Sequence, residues 1–549
     1  MPIRALPPRP SLEQYKKQAK DLLKACKAGD MEALQRVRAH SRTSRRGSDS
    51  GVVKVTLADA HFAIAREHGF ESWPTFAKHI ETLRLARSVA DLANPVAAFI
   101  EAASAPRSGH ASGTLEEAEM ILARYPHVAR SGIHEAAILA DEGAVRGFLA
   151  RDPGSATAKG GPYAWDALTS LCFSRYLRLD ASRAEAFVRT ARALLDAGAS
   201  AKTGWHELVD HPNPRPIFES ALYGAAGIAR HPELTRLLLE RGADPNDEET
   251  PYHVPETYDN EVLTILLESG TLDDVSLTWM LLRKTDWHDP RGLQLLLKHG
   301  ADPNHMTRFG DNALHHALRR DNSLTMIESL LEYGANPALS NTRDGRSAAV
   351  MAARRGRGDV LALLQQRGLL LDCHGVDRLI AACAMDDHET VGSLRTTAPG
   401  VVTALVEEGG TLLAEFAGVG NVAGVRHLLD CGVNPTSLYQ QGDSYFGIAT
   451  DSTALHVAAW RGWPTVVKEL IARGAPVNAT DGMGRTALVL AVKACVDSFW
   501  TARRSPDSVR ALVDAGASTS GIERPTGYDE VDELLWQRAG EHRRTDERA

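Results

Sequence analysis

Apolar residues recur along much of the chain in short runs at helical spacing, and each run is closed by a glycine. The clearest run is Val466, Val467, Leu470 and Ile471, closed by Gly474. The same pattern returns as TRLLLERGADPN (Gly242), LQLLLKHGADPN (Gly300), IESLLEYGANP (Gly334) and VRHLLDCGVNP (Gly432). Weaker copies are ARALLDAGAS (Gly198), LTILLESG (Gly270), LALLQQRG (Gly368) and VRALVDAGAS (Gly516). Degenerate ones lie near Gly154 and Tyr125. From Gly300 to Gly334 to Gly368 each step is 34 residues, and other steps are shorter or longer, so a repeating unit carries insertions.

Each unit reads as two helices. The first opens at a Ser/Thr-Ala-Leu-His step, and a turn such as Arg461-Gly462 follows. The second helix carries the apolar stripe, and its closing glycine supplies the left-handed residue wanted past a helix C-terminus. One such pair cannot bury its apolar face alone, whereas stacked copies bury a continuous core. The stretch TALHVAAWRGWPTVVKELIARGAPVNATDGMGRTAL resembles an ankyrin repeat, and so does DNALHHALRRDNSLTMIESLLEYGANPALSNTRDGRSA. Turn spacing extends the resemblance from about Thr114 to about Gln537. The resemblance implies an all-α ankyrin-repeat solenoid of about ten or eleven helix–turn–helix units with finger loops. It also implies a protein partner, held by the fingers and the concave row of first helices. His456, His315 and His134 share the motif step. In ankyrin-like units that histidine hydrogen-bonds backbone and ties neighbouring repeats, so no catalytic role is assigned to it.

The first 90 residues read differently. LEQYKKQAKDLLKACKAGDMEALQRVRAH predicts a helix pair turning at Gly29-Asp30, and the polar break SRTSRRGSDSG follows. VTLADAHFAIAREHGFESWPTFAKHIETL predicts two more helices, broken at GFESWP. This pattern resembles a segment that precedes the repeats of many bacterial ankyrin-type proteins, and it can cap the stack. The expected layout is therefore a helical region at 1–90, a linker at 91–113, the solenoid at 114–540 and a polar tail at 541–549.

Composition narrows the function. At 549 residues the chain exceeds one ordinary core, as a repeat array does. A net charge of −8 gives no general attraction to nucleic acid or anionic membrane. Residues 1–50 are locally basic, with 12 Lys/Arg against 5 Asp/Glu. Aromatics are not interleaved there, so a solvated helix face is favoured over nucleic-acid binding. No apolar run reaches the ~18 residues of a membrane span. The six cysteines form no CxxC pair and read as reduced, buried thiols. The N-terminus lacks a signal-peptide core, and the expected compartment is the cytoplasm.

Candidate contacts cluster where the repeats are interrupted. KTGWHELVDHPNPRPIFES carries Trp205, DEETPYHVPETYDN carries Tyr252, and TSLYQQGDSYFGIATD carries Tyr439, Tyr445 and Phe446. All three follow a finger position and are expected to enlarge fingers on one side. DSFWTARRSPD instead separates two helices of one unit and carries Trp500 and Arg503. Trp460 and Arg461 end a first helix and are expected on the concave face, with Trp287 and His288 at the turn of another unit. Exposed Trp, Tyr and Arg are typical interface anchors. The alternative is that the insertions pack back on the stack.

Three stretches imitate chemistry. HELVDH spaces His206 and His211 at i, i+5, which misses the i, i+4 that brings two zinc ligands to one helix face, and a polar loop is expected. GVGNVAG has the wrong spacing for a dinucleotide loop, and repeat glycines explain it. DWHDP places His288 between two aspartates, but Asp289-Pro290 reads as a helix cap and first residue. No nucleophile elbow, phosphate loop or cofactor motif appears. The reading is a non-catalytic scaffold for another protein. The alternatives are a hydrolase-type site around His206, His211 and His288, or nucleic-acid binding through the basic N-terminus.

Overall fold

The computed structural model describes residues 3–40, 55–105, 109–208, 216–369, 371, 373–498, 500–523 and 526–536. The chain forms two compact units. One is Met1–Val254 with Asp259–Leu272, and the other is Pro255–Tyr258 with Asp273–Ala549.

The first unit opens with the helices Leu12–Lys27, Met31–His40, Leu57–Glu67 and Trp73–Ala90. Their starts are written locally. Ser11 and Ser72 accept from backbone N–H groups three residues on, and Thr56 with Asp59 closes a reciprocal capping box. Tyr15, Ala19, Leu22 and Cys26 fall on one helix face and meet Ala60, Ile64, Phe76 and Ile80 in a shared core. Arg36 clasps Glu67 through two bonds of 2.9 and 3.0 Å. Lys17, Lys20, Lys24 and Lys27 face solvent, away from that core. The break SRTSRRGSDSG and the tail 541–549 lie outside the described residues.

Residues 91–113, expected as a linker, contain the helix Pro95–Ala103. Asn94 caps it, and Phe99, Ile100, Ala102 and Ala103 are buried as it packs on Glu116–Arg124. The run is too short and too uniformly apolar to show a helical period, which is why the pattern concealed it. Helix pairs follow at Ile133–Ile138 with Glu142–Arg151 and at Ala167–Cys172 with Ala184–Asp196. HELVDH is not a loop over its described part: Gly204–Leu208 pairs antiparallel with Pro216–Ser220, and residues 209–211 lie outside the described residues. After the hairpin come Ala221–Tyr223 with Pro232–Glu240, then Glu249–His253 with Glu261–Glu268.

The second unit stacks the pairs Asp274–Asp286 with Pro290–Lys298, Ala313–Arg319 with Leu324–Glu332, and Ala348–Arg354 with Gly358–Gln366. Val376–Ala384 with His388–Thr397 comes next, followed by an extra helix, Pro399–Glu407. The stack closes with Gly409–Val419 and Val422–Asp430, Ala454–Trp460 and Pro464–Ala472, and Ala487–Asp497 and Asp507–Asp514. First helices pack on first helices and second on second. The stretch from His374 to Gly410 is a local detour. Ala348–Arg354 touches both Val376–Ala384 and Gly409–Val419, and Arg354 binds Asp377 and Glu408 at 2.6 Å each.

The closing glycines at 198, 242, 270, 300, 334, 368, 432, 474 and 516 all have positive φ, as their place past a helix end requires. The turn between paired helices makes the same demand. Gly356, Gly420 and Gly462 meet it freely, while Ala140, Arg230, His288, Asp321 and Asp386 hold positive φ without being glycine. His456 Nε2 reaches the carbonyls of Ala479 and Arg485 at 3.0 and 3.1 Å. His134 bridges Ala158 and Trp165 in the same way. His315 is placed alike: its Nδ1 meets Asn312 Oδ1 at 2.7 Å within its own cap, as His456 Nδ1 meets Thr453, and the backbone of Leu339 and Arg346 acts on its ring.

Candidate functional site

The inner ends of the first helices in the second unit form a polar network, and the insertion after Pro435 lies against it. Its centre is Asp321, held at positive φ in a turn with its side chain buried. One carboxylate oxygen accepts from Arg355 at 2.9 Å and the other from Arg461 at 3.0 Å. Burial alone would raise the Asp321 carboxyl, but Arg355 and Arg461 outweigh it and hold the group below its ordinary value. Arg355 also reaches Glu415 at 3.2 Å. Burial pushes the Glu415 carboxyl up, and Tyr439 donates to it at 3.1 Å.

The aromatics complete the arrangement. Arg461 lies 3.9 Å from the Phe446 ring centre and 4.4 Å from that of Trp500. Trp460 Nε1 donates to the Phe446 carbonyl at 2.5 Å, and Trp500 Nε1 donates to the Trp460 carbonyl at 3.1 Å. Arg503 covers the Trp463 ring at 4.2 Å, and Trp463 is half-buried. Tyr445 donates to the Asp286 carbonyl at 2.8 Å, and Arg320 sits 3.8 Å over its ring.

These contacts correct the expected exposure of the candidates. Trp460 is 7% exposed, and Tyr439, Phe446 and Arg461 are also buried. In the first unit Trp205 is buried against Trp165 and Phe173. Trp287, Trp500 and Arg503 are half-buried, with Trp287 edge-on to Tyr258. Only Tyr252, His288 and, at 37%, Tyr445 retain an exposed surface. The physical reason is the insertions themselves. A long segment rich in Tyr, Phe and Trp gains more by covering neighbouring Trp and Arg than by standing in water.

A different surface is open. Phe309, at a finger tip, is 55% exposed and stands edge-on to Trp279 at 5.4 Å. Arg308 lies 5.5 Å from the Trp279 ring centre and 5.2 Å from that of Phe309. Val275, one turn before Trp279, is exposed as well. The sequence did carry a signal. TRFGDNALHH aligns with GMGRTALVL, so Phe309 and Met483 share the finger-tip position before a glycine, and both are exposed.

The stretches that imitate chemistry resolve structurally. Asp289 caps Pro290–Lys298 and pairs with buried Lys284 at 2.8 Å, while Asp286 binds Arg283 and Arg320. Both carboxylates beside His288 are therefore committed to cations. Gly420 is the left-handed cap between Gly409–Val419 and Val422–Asp430, which accounts for GVGNVAG. Among the described residues, two groups have metal-ligand spacing: Asp386 with His388 and His427, and His110 with Glu207 and Glu219.

Residues 285–374 and 412–520 match the family model for ankyrin repeats in three copies. These stretches carry ankyrin repeats, which are generally protein–protein interaction modules. No curated protein matches the chain. Among the described residues, no helix is long and apolar enough to cross a membrane.

Proposed function

We propose that the chain is a non-catalytic scaffold that binds another protein through the fingers and first helices of its second unit, centred on Trp279, Arg308 and Phe309. The observation that carries this reading is selective exposure. The insertion aromatics of this unit are largely buried by the chain itself, whereas Arg308 and Phe309 stand open beside a half-buried Trp279. An exposed Phe edge-on to a half-buried Trp, with a guanidinium beside both, has the composition of an interface hot spot. The support beneath it is rigid. Asp311, buried at the base of the finger, accepts from Arg319 at 3.1 Å and from Arg343 at 3.3 Å. A finger braced in this way loses little entropy on binding.

The test is affinity capture with the full chain against the R308A/F309A double variant, followed by titration of the captured protein. Each side chain is solvent-facing, so the variant should keep its melting temperature. Loss of a hot spot of ~2 kcal/mol or more corresponds to a roughly 30-fold weaker Kd. Equal affinity for both chains would refute this surface.

A further inference from the structure

The first unit contains a buried acid cluster that the repeat fold does not explain. In the hairpin, Trp205 lies opposite Glu219 and Glu207 opposite Ile217. Side chains alternate along a strand, and opposed residues share a face, so Trp205, Glu207 and Glu219 lie on one face. His206 falls on the other, against Phe218 at 5.2 Å. Strand geometry therefore removes His206 from any site that includes Glu207.

His110 lies over the Glu207 face. Its Nε2 is 3.5 Å from Glu207 Oε2, and its Nδ1 is 3.9 Å from Glu219 Oε2. One ligand atom from each of His110, Glu207 and Glu219 lies within 4.8 Å of the other two. Glu219 is 1% exposed, and its Oε2 is buried with no hydrogen-bond partner. A charged carboxylate in that position is costly, and burial, with Glu249 and Glu207, pushes Glu219 up to about 8, so a cation that met it would take the place of a proton. Its charged surroundings do not relieve the cost. Among the described residues, Glu249, Glu207 and Asp247 act to raise its carboxyl and His253 to lower it. Glu249 is already engaged by His253 at 3.2 Å, and Asp247 accepts from Ser220 and Thr250.

We propose that His110 Nε2, Glu207 and Glu219 bind one divalent transition-metal ion of the zinc class. The 3.5 Å separation of His110 Nε2 and Glu207 Oε2 is close to the edge of a tetrahedron with bonds of about 2.1 Å. Tyr223 is the positioning residue. Its hydroxyl lies 2.7 Å from His110 Nδ1 and holds the ring with Nε2 turned to Glu207. Tyr223 is itself buried and placed by the Ser220 cap, whose side chain accepts from its backbone N–H at 2.8 Å. An imidazole with two carboxylates suits zinc and its neighbours better than magnesium or calcium, which favour all-oxygen sites. Three protein ligands leave one position for water or a ligand. The ion would tie the segment before Glu116–Arg124 to the hairpin, across a sequence separation that the repeat contacts do not span.

The test uses the full chain, stripped with a chelator and titrated with zinc by calorimetry, with cobalt as a spectroscopic probe. One equivalent should bind, and cobalt should show the intense visible bands of four-coordination. Glu207→Gln, at a partly exposed position, should weaken binding by more than the ~10–100-fold typical of losing an outer-shell partner. Tyr223→Phe should weaken it within that ~10–100-fold range while keeping the cobalt bands. Zinc should raise the melting temperature of the wild type and not that of Glu207→Gln. No binding, unchanged affinity in Glu207→Gln, or loss of binding in His427→Ala at the other spaced group would each overturn the proposal.

Discussion

At the scale of single residues, the second unit is organised by charges that have left water. Asp321 is shared by Arg355 and Arg461, and Arg461 also stacks on Phe446 and Trp500. Removing one partner of a buried ion pair leaves the other uncompensated, at a cost of roughly 3–5 kcal/mol. Arg461→Met leaves Asp321 with Arg355 alone, so it should lower the urea midpoint of this unit, by less than that full cost. Asp321→Asn with Arg461→Met should cost less than the two single changes summed, which a double-mutant cycle reads directly. Histidines set the acid limit. Burial lowers His316 to about 4 from an ordinary value of 6.5. Between those values the unfolded chain holds a proton that the folded chain refuses. The stability contributed by neutral His316 is thus complete above 6.5 and is lost as the pH falls towards 4, by up to about 3 kcal/mol. Urea midpoints should fall between about pH 7 and about pH 5, and His316→Gln should flatten that slope. An unchanged slope in His316→Gln would assign the acid sensitivity elsewhere.

At the scale of elements, the units persist where their signature residues do not. The turn between paired helices keeps a left-handed residue whether glycine, alanine, aspartate or histidine occupies it. For a residue with a Cβ that conformation costs roughly 1–2 kcal/mol. Ala140→Gly should consequently raise stability by about 0.5–1 kcal/mol, part of the gain being lost to the greater freedom of the unfolded chain. Gly474→Ala should lower it by about 1–2 kcal/mol, because an added Cβ meets nothing within 4 Å and strain alone acts. Thermal melts of the two variants should move in opposite directions. The same contrast explains what the sequence made legible. Apolar stripes, caps and closing glycines act within one turn of helix, so the repeat units and the four N-terminal helices could be read from local pattern. The fate of Trp460 and Tyr439 depends on partners beyond the unit, among them Phe446 and Glu415, and no local pattern encodes that. The hairpin that presents Glu207 and Glu219 was missed for a related reason. Its strands are joined by a proline-rich stretch that reads as loop, and the face they share only acquires meaning from His110, far upstream.

At the scale of the second unit as a whole, the insertion after Pro435 changes how the array behaves. A solenoid is stabilised by nearest-neighbour interfaces, so its ends are ordinarily indifferent to each other. Here Tyr445 bonds the Asp286 carbonyl across 159 residues, and Arg461 bonds Asp321 across 140. Both contacts skip intervening repeats. They should couple the first helix of the unit, Asp274–Asp286, to the last pairs, so that the stack opens cooperatively rather than fraying from one end. Replacing residues 440–449 with a short Gly/Ser finger removes the Tyr445 contact and the Phe446 stack, and leaves the strand residues Leu438, Tyr439, Ser452 and Thr453 in place. In that variant, amide exchange should accelerate along Asp274–Asp286 and Pro290–Lys298 while the inner pairs keep their protection, because the Tyr445 brace to Asp286 is gone and the Arg461 bond to Asp321 remains. The wild type should show the same protection at both ends of the stack. If the variant exchanges as the wild type does, the insertion merely covers the surface, and nearest-neighbour packing alone accounts for the stability of the unit.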